Sequence, residues 1–174
     1  MKMGYTIFDP KVSGPLHELP REDARAAYDW FISNIPARLN ELSQLVGADG
    51  IDLDFSVSSL TRLHDWFFDL VIEERDLGNS SPSPELFSVC NDVGVYLSEF
   101  VIRVGKQVKW LFFTKDENGL SYQRPVISGF NVKNKDYYID FDYLLCQYAF
   151  RILKTGKKEG DLFAVMFKKA LTLL

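Results

Sequence analysis

The chain has 174 residues, of which 47% are hydrophobic and 14% aromatic, and its formal net charge is −4. This content can fill the core of one domain and excludes an intrinsically disordered chain. Two cysteines are too few for a disulfide framework, so the sequence predicts a cytoplasmic protein with reduced thiols. Neither a secretory signal nor a membrane span is expected, because no apolar run is long enough.

Charge is unevenly distributed along the chain. Residues 1–100 carry 7 Lys and Arg against 17 Asp and Glu, a net charge of −10, whereas residues 101–174 carry 13 against 7, a net charge of +6. Two explanations fit this asymmetry: an acidic part of the domain contacts a basic part, or an acidic face binds a basic partner. An internal or merely solvated arrangement is favoured.

Helices are predicted over about residues 20–76, from apolar side chains that recur at steps of three and four. Pro20 opens the first helix, where a proline loses no hydrogen bond. The apolar pattern continues through Pro36, so this region forms either one kinked helix or two helices that meet there. Gly47 ends the pattern, and Ser56 is expected to cap the next helix.

A loop near residue 80 leads to a largely apolar helix over residues 85–104, which we expect to be central and buried. Residues 108–114 and 121–128 favour strands, and the Asn-Gly turn between them predicts an antiparallel hairpin. Pro125 indicates an unpaired edge or a bulge in the second strand. Residues 136–140 are compatible with a third short strand.

Two further helices are predicted, from Phe141 to about Lys154 and from Asp161 to the last residues. The predicted fold class is therefore α+β: a mostly helical single domain, residues 1–174, with a small antiparallel sheet packed on helices. Its hairpin lies at about residues 108–128. The helical part covers about residues 20–76, and the helix–hairpin–helix–helix part covers about residues 84–174.

Four polar side chains follow one face of the central helix, because spacings of four, three and four separate Asp92, Tyr96, Glu99 and Arg103. Glu99 and Arg103 are expected to form an i, i+4 ion pair. A buried Glu99 needs further hydrogen bonds, for which the candidate donors are Tyr96, Arg124 and the Trp110 indole. We favour a structural role for this cluster; the alternative is a pocket in which Glu99 acts as a general base or binds a ligand.

Gly94 interrupts the same helix. A glycine inside a helix costs about 1 kcal/mol relative to alanine. Close approach of another backbone is the simplest reason to keep it. The hairpin or an N-terminal helix is expected to lie across Gly94.

The pattern Asp-x-Gly-x-Tyr-Leu-x-Glu at residues 92–99, followed by a Trp-bearing strand, Pro-Val-Ile and two helices, resembles a pattern of uncharacterised small bacterial proteins. That pattern reads D-x-G-x-Y-L-G-E, and Ser98 replaces its second glycine. The resemblance covers about residues 84–174. Some proteins of this kind look like immunity proteins that neutralise a neighbouring toxin, so the resemblance implies a non-catalytic binding role and assigns no catalytic residue.

Motifs of common catalytic and metal sites are absent from the sequence. There are two histidines, His17 in a loop and His64 on an apolar helix face, and no Cys/His cluster or H-E-x-x-H motif. An EF-hand starting at Asp52 fails, because Val57 and Leu63 stand at its glycine and glutamate positions. No phosphate-binding loop occurs, and the acidic balance opposes nucleic-acid binding. We therefore predict no catalytic residue, metal site or cofactor.

Two acidic clusters are candidate surfaces for a protein partner. The first consists of Asp49, Asp52 and Asp54. The second is the segment Asp136, Tyr137, Tyr138, Asp140 and Asp142. Tyrosine provides contact area and a hydrogen bond, which suits an interface with a basic partner. The alternatives are a solvated turn with helix-capping carboxylates for the first cluster, and a strand-to-helix junction whose aromatic rings enter the core for the second.

The sequence thus favours a cytoplasmic bacterial protein-binding protein without catalytic activity, whose specific form would be an immunity-type inhibitor of a basic toxin. Neither nucleic acid nor a membrane is expected as a partner. One alternative is a small-molecule-binding protein or small enzyme with a pocket centred on Glu99. Another is a structural homodimer formed through the nearly apolar last helix.

Overall fold

The computed structural model describes residues 4–174. Three α-helices are followed by a small three-stranded sheet and then by two more α-helices. In chain order they are α1 (Arg21–Gly47), α2 (Val57–Asp76), α3 (Pro84–Val104), β1 (Lys109–Phe112), β2 (Pro125–Ser128), β3 (Tyr138–Ile139), α4 (Phe141–Thr155) and α5 (Leu162–Leu171). A short 3-10 helix, Leu16–Glu18, precedes α1. The predicted α+β class, mostly helical with a small antiparallel sheet, is confirmed.

Helix α1 is one continuous helix of 27 residues with Pro36 inside it. The two-helix alternative is therefore wrong. Pro20 lies one residue before the helix rather than at its first position. Glu22 and Asp23 occupy the first turn, where the helix dipole favours negative charge.

Helix α3 is the centre of the fold, as its apolar sequence predicted. It packs against α1, α4 and α5, and thirteen of its residues are buried. Helix α5 packs against α2 and α3 through a buried face that includes Phe163 and Phe167. Burial against the domain therefore accounts for most of the apolar surface of the last helix.

Gly94 touches the backbone at the start of α4. A Cβ atom at this position would lie 2.9 Å from the backbone nitrogen of Asp142 and 3.0 Å from its Cα. The expected close approach is confirmed, but the partner is neither the hairpin nor an N-terminal helix. Strand β3 ends at Ile139 and Asp140 caps α4, so the chain turns directly across α3 at this point.

The three strands form one antiparallel sheet in the order β1-β2-β3. Pro125 is the first residue of β2 and lies opposite Phe112 of β1. Strand β3 pairs only with Ile127 and Ser128, so no third strand runs beside Pro125. This agrees with the unpaired edge that the proline predicted. Within residues 4–174, no helix has the length and apolar character needed to cross a membrane.

Candidate functional site

Asp92 forms a buried ion pair with Arg38 of α1. The Arg38 Nε donates to Oδ1 at 2.8 Å and Nη2 donates to Oδ2 at 2.6 Å. The Tyr5 hydroxyl donates to the same carboxylate at 2.6 Å, and Arg38 Nη1 donates to the Thr6 carbonyl at 2.8 Å. Burial raises the pKa of Asp92 even though Arg38 and Tyr5 oppose the shift. The pair therefore fastens the N-terminal segment to α1 and α3.

Arg38 was not among the residues that the sequence singled out. It follows Ile35 by three positions and precedes Leu42 by four, so it lies on the buried face of α1. A charge on an apolar helical stripe needs an opposite charge nearby. That signal was readable in the sequence, and Asp92 was the matching acid on the largely apolar central helix.

Tyr96 has a different set of partners. Its hydroxyl lies 2.8 Å from Ser59 Oγ and accepts from the backbone N–H of Phe55 at 2.9 Å. The ring packs on Phe55 with centroids 4.7 Å apart. Burial raises the pKa of Tyr96 above its usual value. Tyr96 therefore holds the start of α2 against α3, and its hydroxyl is hydrogen-bonded to Ser59 and Phe55 rather than to Glu99.

Glu99 accepts a hydrogen bond from the Trp110 indole, whose Nε1 lies 2.8 Å from Oε1. The indole was one of the three candidate donors that the sequence offered. Trp110 lies on β1, so the bond joins the central helix to the sheet.

The predicted ion pair between Glu99 and Arg103 is wrong. No ion pair within 4 Å joins these two described residues. The guanidinium of Arg103 instead lies over the Phe55 ring, 3.5 Å from its centroid. The polar stripe of α3 is therefore not one cluster, because each of its side chains has a separate partner.

An aromatic cavity of about 430 Å³ lies beside Trp110. It is open to solvent on one side and is bordered by α1, α3, the N-terminal segment, the hairpin and the start of α4. We call it the aromatic cavity, and its walls include Phe8, Tyr28, Phe31, Trp110, Phe141 and Tyr143. Gly94 and Ser98 of α3 also line it, whereas Glu99 does not. The alternative reading of the sequence placed a pocket at Glu99. The cavity instead lies among other residues around Trp110, and Glu99 is not part of its lining.

Arg124 joins the two acids at the start of α4 and borders this cavity. Its Nε donates to Asp140 Oδ2 at 2.8 Å, and its Nη2 donates to Asp142 Oδ2 at 2.5 Å. Burial opposes the charge of Arg124, yet Asp142 and Asp140 raise the pKa of its guanidinium. Burial also raises the pKa of the Asp142 carboxyl, although Arg124 partly offsets it. Asp140 in addition caps α4 by accepting from the Tyr143 N–H at 3.0 Å.

The rest of the second acidic cluster is divided between core and surface. Tyr138 packs on Phe113 with ring centroids 4.1 Å apart, and Tyr137 packs edge-on against Phe130. Asp136 is exposed and lies 3.9 Å from the Lys115 ammonium. Of the five residues proposed for partner binding here, Asp136 is thus the acid that solvent reaches most freely.

A second depression, of about 840 Å³, runs along the outer face of α2. We call it the acidic groove. Six acids line it, namely Asp49, Asp65, Asp69, Glu73, Glu74 and Glu85, against the single basic residue Arg62. Apolar side chains that include Trp66, Leu70 and Leu77 lie between them. Leu77 is 82% exposed, so the groove combines an excess of negative charge with accessible apolar surface.

The first acidic cluster lies at one end of this groove. Asp49 lines the groove and accepts from the Trp66 indole at 2.8 Å. Asp52 and Asp54 are exposed in the connection that follows. Asp54 also accepts from the backbone N–H of Ser56, the residue that caps α2. That contact matches the helix-capping alternative, and it leaves the carboxylates of Asp52 and Asp54 at the surface.

His64 is a core residue, as its position on an apolar face predicted. It is 1% exposed, and its Nε2 lies 2.9 Å from the Tyr148 hydroxyl. Burial lowers the pKa of His64. Within the described part of the chain, no three His, Cys, Asp or Glu residues are grouped so as to hold a metal ion.

The described residues define a small, mostly helical α+β protein that carries an aromatic cavity and an acidic groove. A family model described as "Uncharacterised protein YwmA" matches residues 21–140, more than half of the chain. The chain therefore belongs to this family. No curated protein and no solved structure matches it.

Proposed function

We propose that this chain is a cytoplasmic, non-catalytic protein that binds a basic protein partner in the acidic groove. The carrying observation is the composition of the groove lining, six acids against one basic residue around accessible apolar side chains. The most specific form of the proposal is an immunity-type inhibitor of a basic toxin. A gene for a basic toxin beside the gene for this chain would support that form.

Several of the groove acids remain available to a partner. Lys158 neutralises Asp65 at 2.7 Å, and Glu74 is used by Ser83. Asp69, Glu73 and Glu85 have no hydrogen bond or ion pair with any described residue through their carboxylates. A basic partner can therefore bind here without first breaking internal ion pairs.

The apolar side chains of the groove add a contact that charge alone does not provide. Trp66, Leu70 and Leu77 lie along α2 and the connection after it. An amphipathic segment with Lys or Arg at its flanks and leucine-like side chains between them matches this pattern. The charges would govern the association rate and its salt dependence, and the apolar contact would slow dissociation.

The test uses a short synthetic amphipathic helix of lysine and leucine as the probe, with its binding followed by calorimetry. Asp69→Lys combined with Glu73→Lys should weaken binding by about tenfold or more, because attraction becomes repulsion. Leu77→Gln should also weaken it without changing charge. The matched control is Glu22→Lys combined with Glu117→Lys, which reverses two exposed acids outside the groove.

Salt provides a second readout of the same site. Raising NaCl from about 50 to 300 mM should weaken the wild-type complex, because screening shortens the range of the groove charges. Equal binding by the groove variant and the control variant would contradict the proposal. So would affinity that is insensitive both to salt and to Leu77→Gln.

A further inference from the structure

We propose that the aromatic cavity is a second, separate binding site, which takes a small organic amine with an apolar body. The ammonium group would bind at Asp142, and the apolar body would contact the aromatic walls. This site shares no lining residue with the acidic groove. It is therefore independent of the protein partner proposed above.

The walls of the cavity are held in fixed positions. The Trp110 ring packs edge-on against Phe31 with centroids 5.1 Å apart, and its indole N–H is bound to Glu99. Phe8 packs edge-on against the other side of Phe31 at 6.2 Å. A volume of about 430 Å³ lies within the range of small-molecule sites. Aromatic faces attract organic cations, and they do so more strongly where water is excluded.

The charges beside the cavity sum to a negative value. Asp140 and Asp142 share one guanidinium, that of Arg124, so two negative charges face one positive charge. Arg124 and Asp142 are the charged residues that line the cavity. The N-terminus of α4 adds a partial positive charge of roughly one half. A bound amine would neutralise the negative charge that remains, whereas a bound carboxylate would add to that negative charge.

Asp142 retains acceptor capacity at Oδ1. Asp140 already accepts three hydrogen bonds, because Oδ1 accepts from Tyr143 and Oδ2 accepts from both Ser121 and Arg124. Asp142 accepts from Arg124 through Oδ2, while its Oδ1 has only a long contact of 3.8 Å to the Cys146 thiol. A thiol is a weak donor, so Oδ1 can accept a strong hydrogen bond from an ammonium group.

Ser98 supplies a polar group on the cavity wall. The residue lines the cavity and is 2% exposed. Among the described residues, Gln123 Oε1 is the only fully buried side-chain polar atom without a hydrogen-bond partner, so the Ser98 hydroxyl is not a buried unpaired group. Ser98 lies one turn beyond Gly94, and the backbone of Asp142 crosses Gly94. A single ammonium group between them could donate to both Ser98 and Asp142.

The test compares three probes that share a phenyl ring: 2-phenylethylamine, 2-phenylethanol and 3-phenylpropionate. Binding to the full chain is followed by the NMR shift of the Trp110 indole N–H, which Trp110→Phe assigns. The amine should bind at least about tenfold more tightly than the alcohol, a difference of about 1.4 kcal/mol. The carboxylate should bind most weakly. Equal or weaker binding of the amine, or no binding of it at millimolar concentration, would overturn the proposal.

Two variants then locate the site. Asp142→Asn keeps an oxygen acceptor for Arg124 but removes the charge, so the preference for the amine over the alcohol should fall to about equality. Ser98→Leu should fill the cavity and abolish binding of the amine. The control is Asp136→Asn, an exposed acid close in sequence that does not line the cavity. If Asp142→Asn keeps the tenfold preference in a folded protein, the assignment to Asp142 is wrong.

Discussion

Arg38 and Asp92 are 54 positions apart in sequence, and they form a doubly hydrogen-bonded ion pair whose side chains are 7% and 0% exposed. Removal of one charge would strand the other in the interior. We predict that Asp92→Ala lowers the free energy of unfolding by about 3–5 kcal/mol, as measured by urea denaturation. Replacing both residues by apolar ones, Arg38→Met with Asp92→Leu, should recover much of that loss.

The same pair also supports the N-terminal segment, because Arg38 holds the Thr6 carbonyl and the Tyr5 hydroxyl. Hydrogen exchange of the Phe8 amide, which donates to Ser88 Oγ at 2.8 Å, should therefore accelerate in Asp92→Ala. If Asp92→Ala lowers the free energy of unfolding by less than about 1 kcal/mol, the size of an ordinary surface pair, the buried ion pair is not the anchor that its burial indicates.

Gly94→Ala should destabilise the fold by about 1–3 kcal/mol, because the new methyl group would overlap backbone atoms of Asp142 that cannot rotate away. The matched control is Gly47→Ala at the end of α1, where a Cβ would meet nothing within 4 Å. Alanine there should be neutral or stabilise by up to about 1 kcal/mol, through helix propensity. Thermal unfolding of both variants checks the pair, and equal effects would contradict the close crossing of α4 over α3.

Glu99 should be coupled energetically to Trp110 and not to Arg103. In a double-mutant cycle, Glu99→Ala with Trp110→Phe should show an interaction energy of about 1 kcal/mol, from the loss of one hydrogen bond. Glu99→Ala with Arg103→Ala should be additive within about 0.5 kcal/mol, because Arg103 interacts with Phe55 instead. If the cycle shows coupling of Glu99 to Arg103 and none to Trp110, the i, i+4 ion pair that the sequence predicted is the correct one.

Stability should fall as the pH drops below about 6.5, the usual pKa of histidine, because of His64. Burial lowers the pKa of His64 in the folded chain, so the unfolded chain binds a proton at a higher pH than the folded chain does. The stability that neutral His64 contributes is complete above the pKa of this histidine in the unfolded chain. It is lost as the pH falls toward the pKa of His64 in the folded chain.

His64→Gln should flatten the pH dependence of the unfolding free energy relative to wild type. The matched variant for comparison is His17→Gln, which removes the exposed histidine. The raised pKa of Asp92 acts in the opposite direction at lower pH, so the difference between wild type and variant is the quantity to compare. Identical slopes for wild type and His64→Gln would refute the assignment.

Local patterns in the sequence were sufficient for the elements and for the faces of α3. The apolar run predicted its burial, Gly94 predicted a crossing backbone, and the Asn-Gly turn predicted the hairpin. For the burial of α3 and for the hairpin, the determinant lies within a few residues of its effect; Gly94 predicted only that some backbone crosses it, and that backbone is at residues 141–142. The donor to Glu99 was one of three candidates, and Trp110 follows α3 after a short connection.

Partners that are distant in sequence were not predictable in the same way. Periodicity shows which face of a helix a residue occupies, but not which element packs against that face. Arg38 and Asp92, or Arg124 and Asp142, meet only once the tertiary structure has formed. Arg103 was assigned to Glu99 for this reason, because the connection that brings Phe55 over α3 leaves no local signal.

The family match ends at residue 140, and the backbone that fills the gap at Gly94 begins at residue 141. The end of the sequence that the family model matches is thus not a boundary of the folded domain. A fragment that ended at residue 140 would expose the face of α3 that α4 covers in the folded chain. The close packing at Gly94 is therefore completed by a segment that the family model does not match.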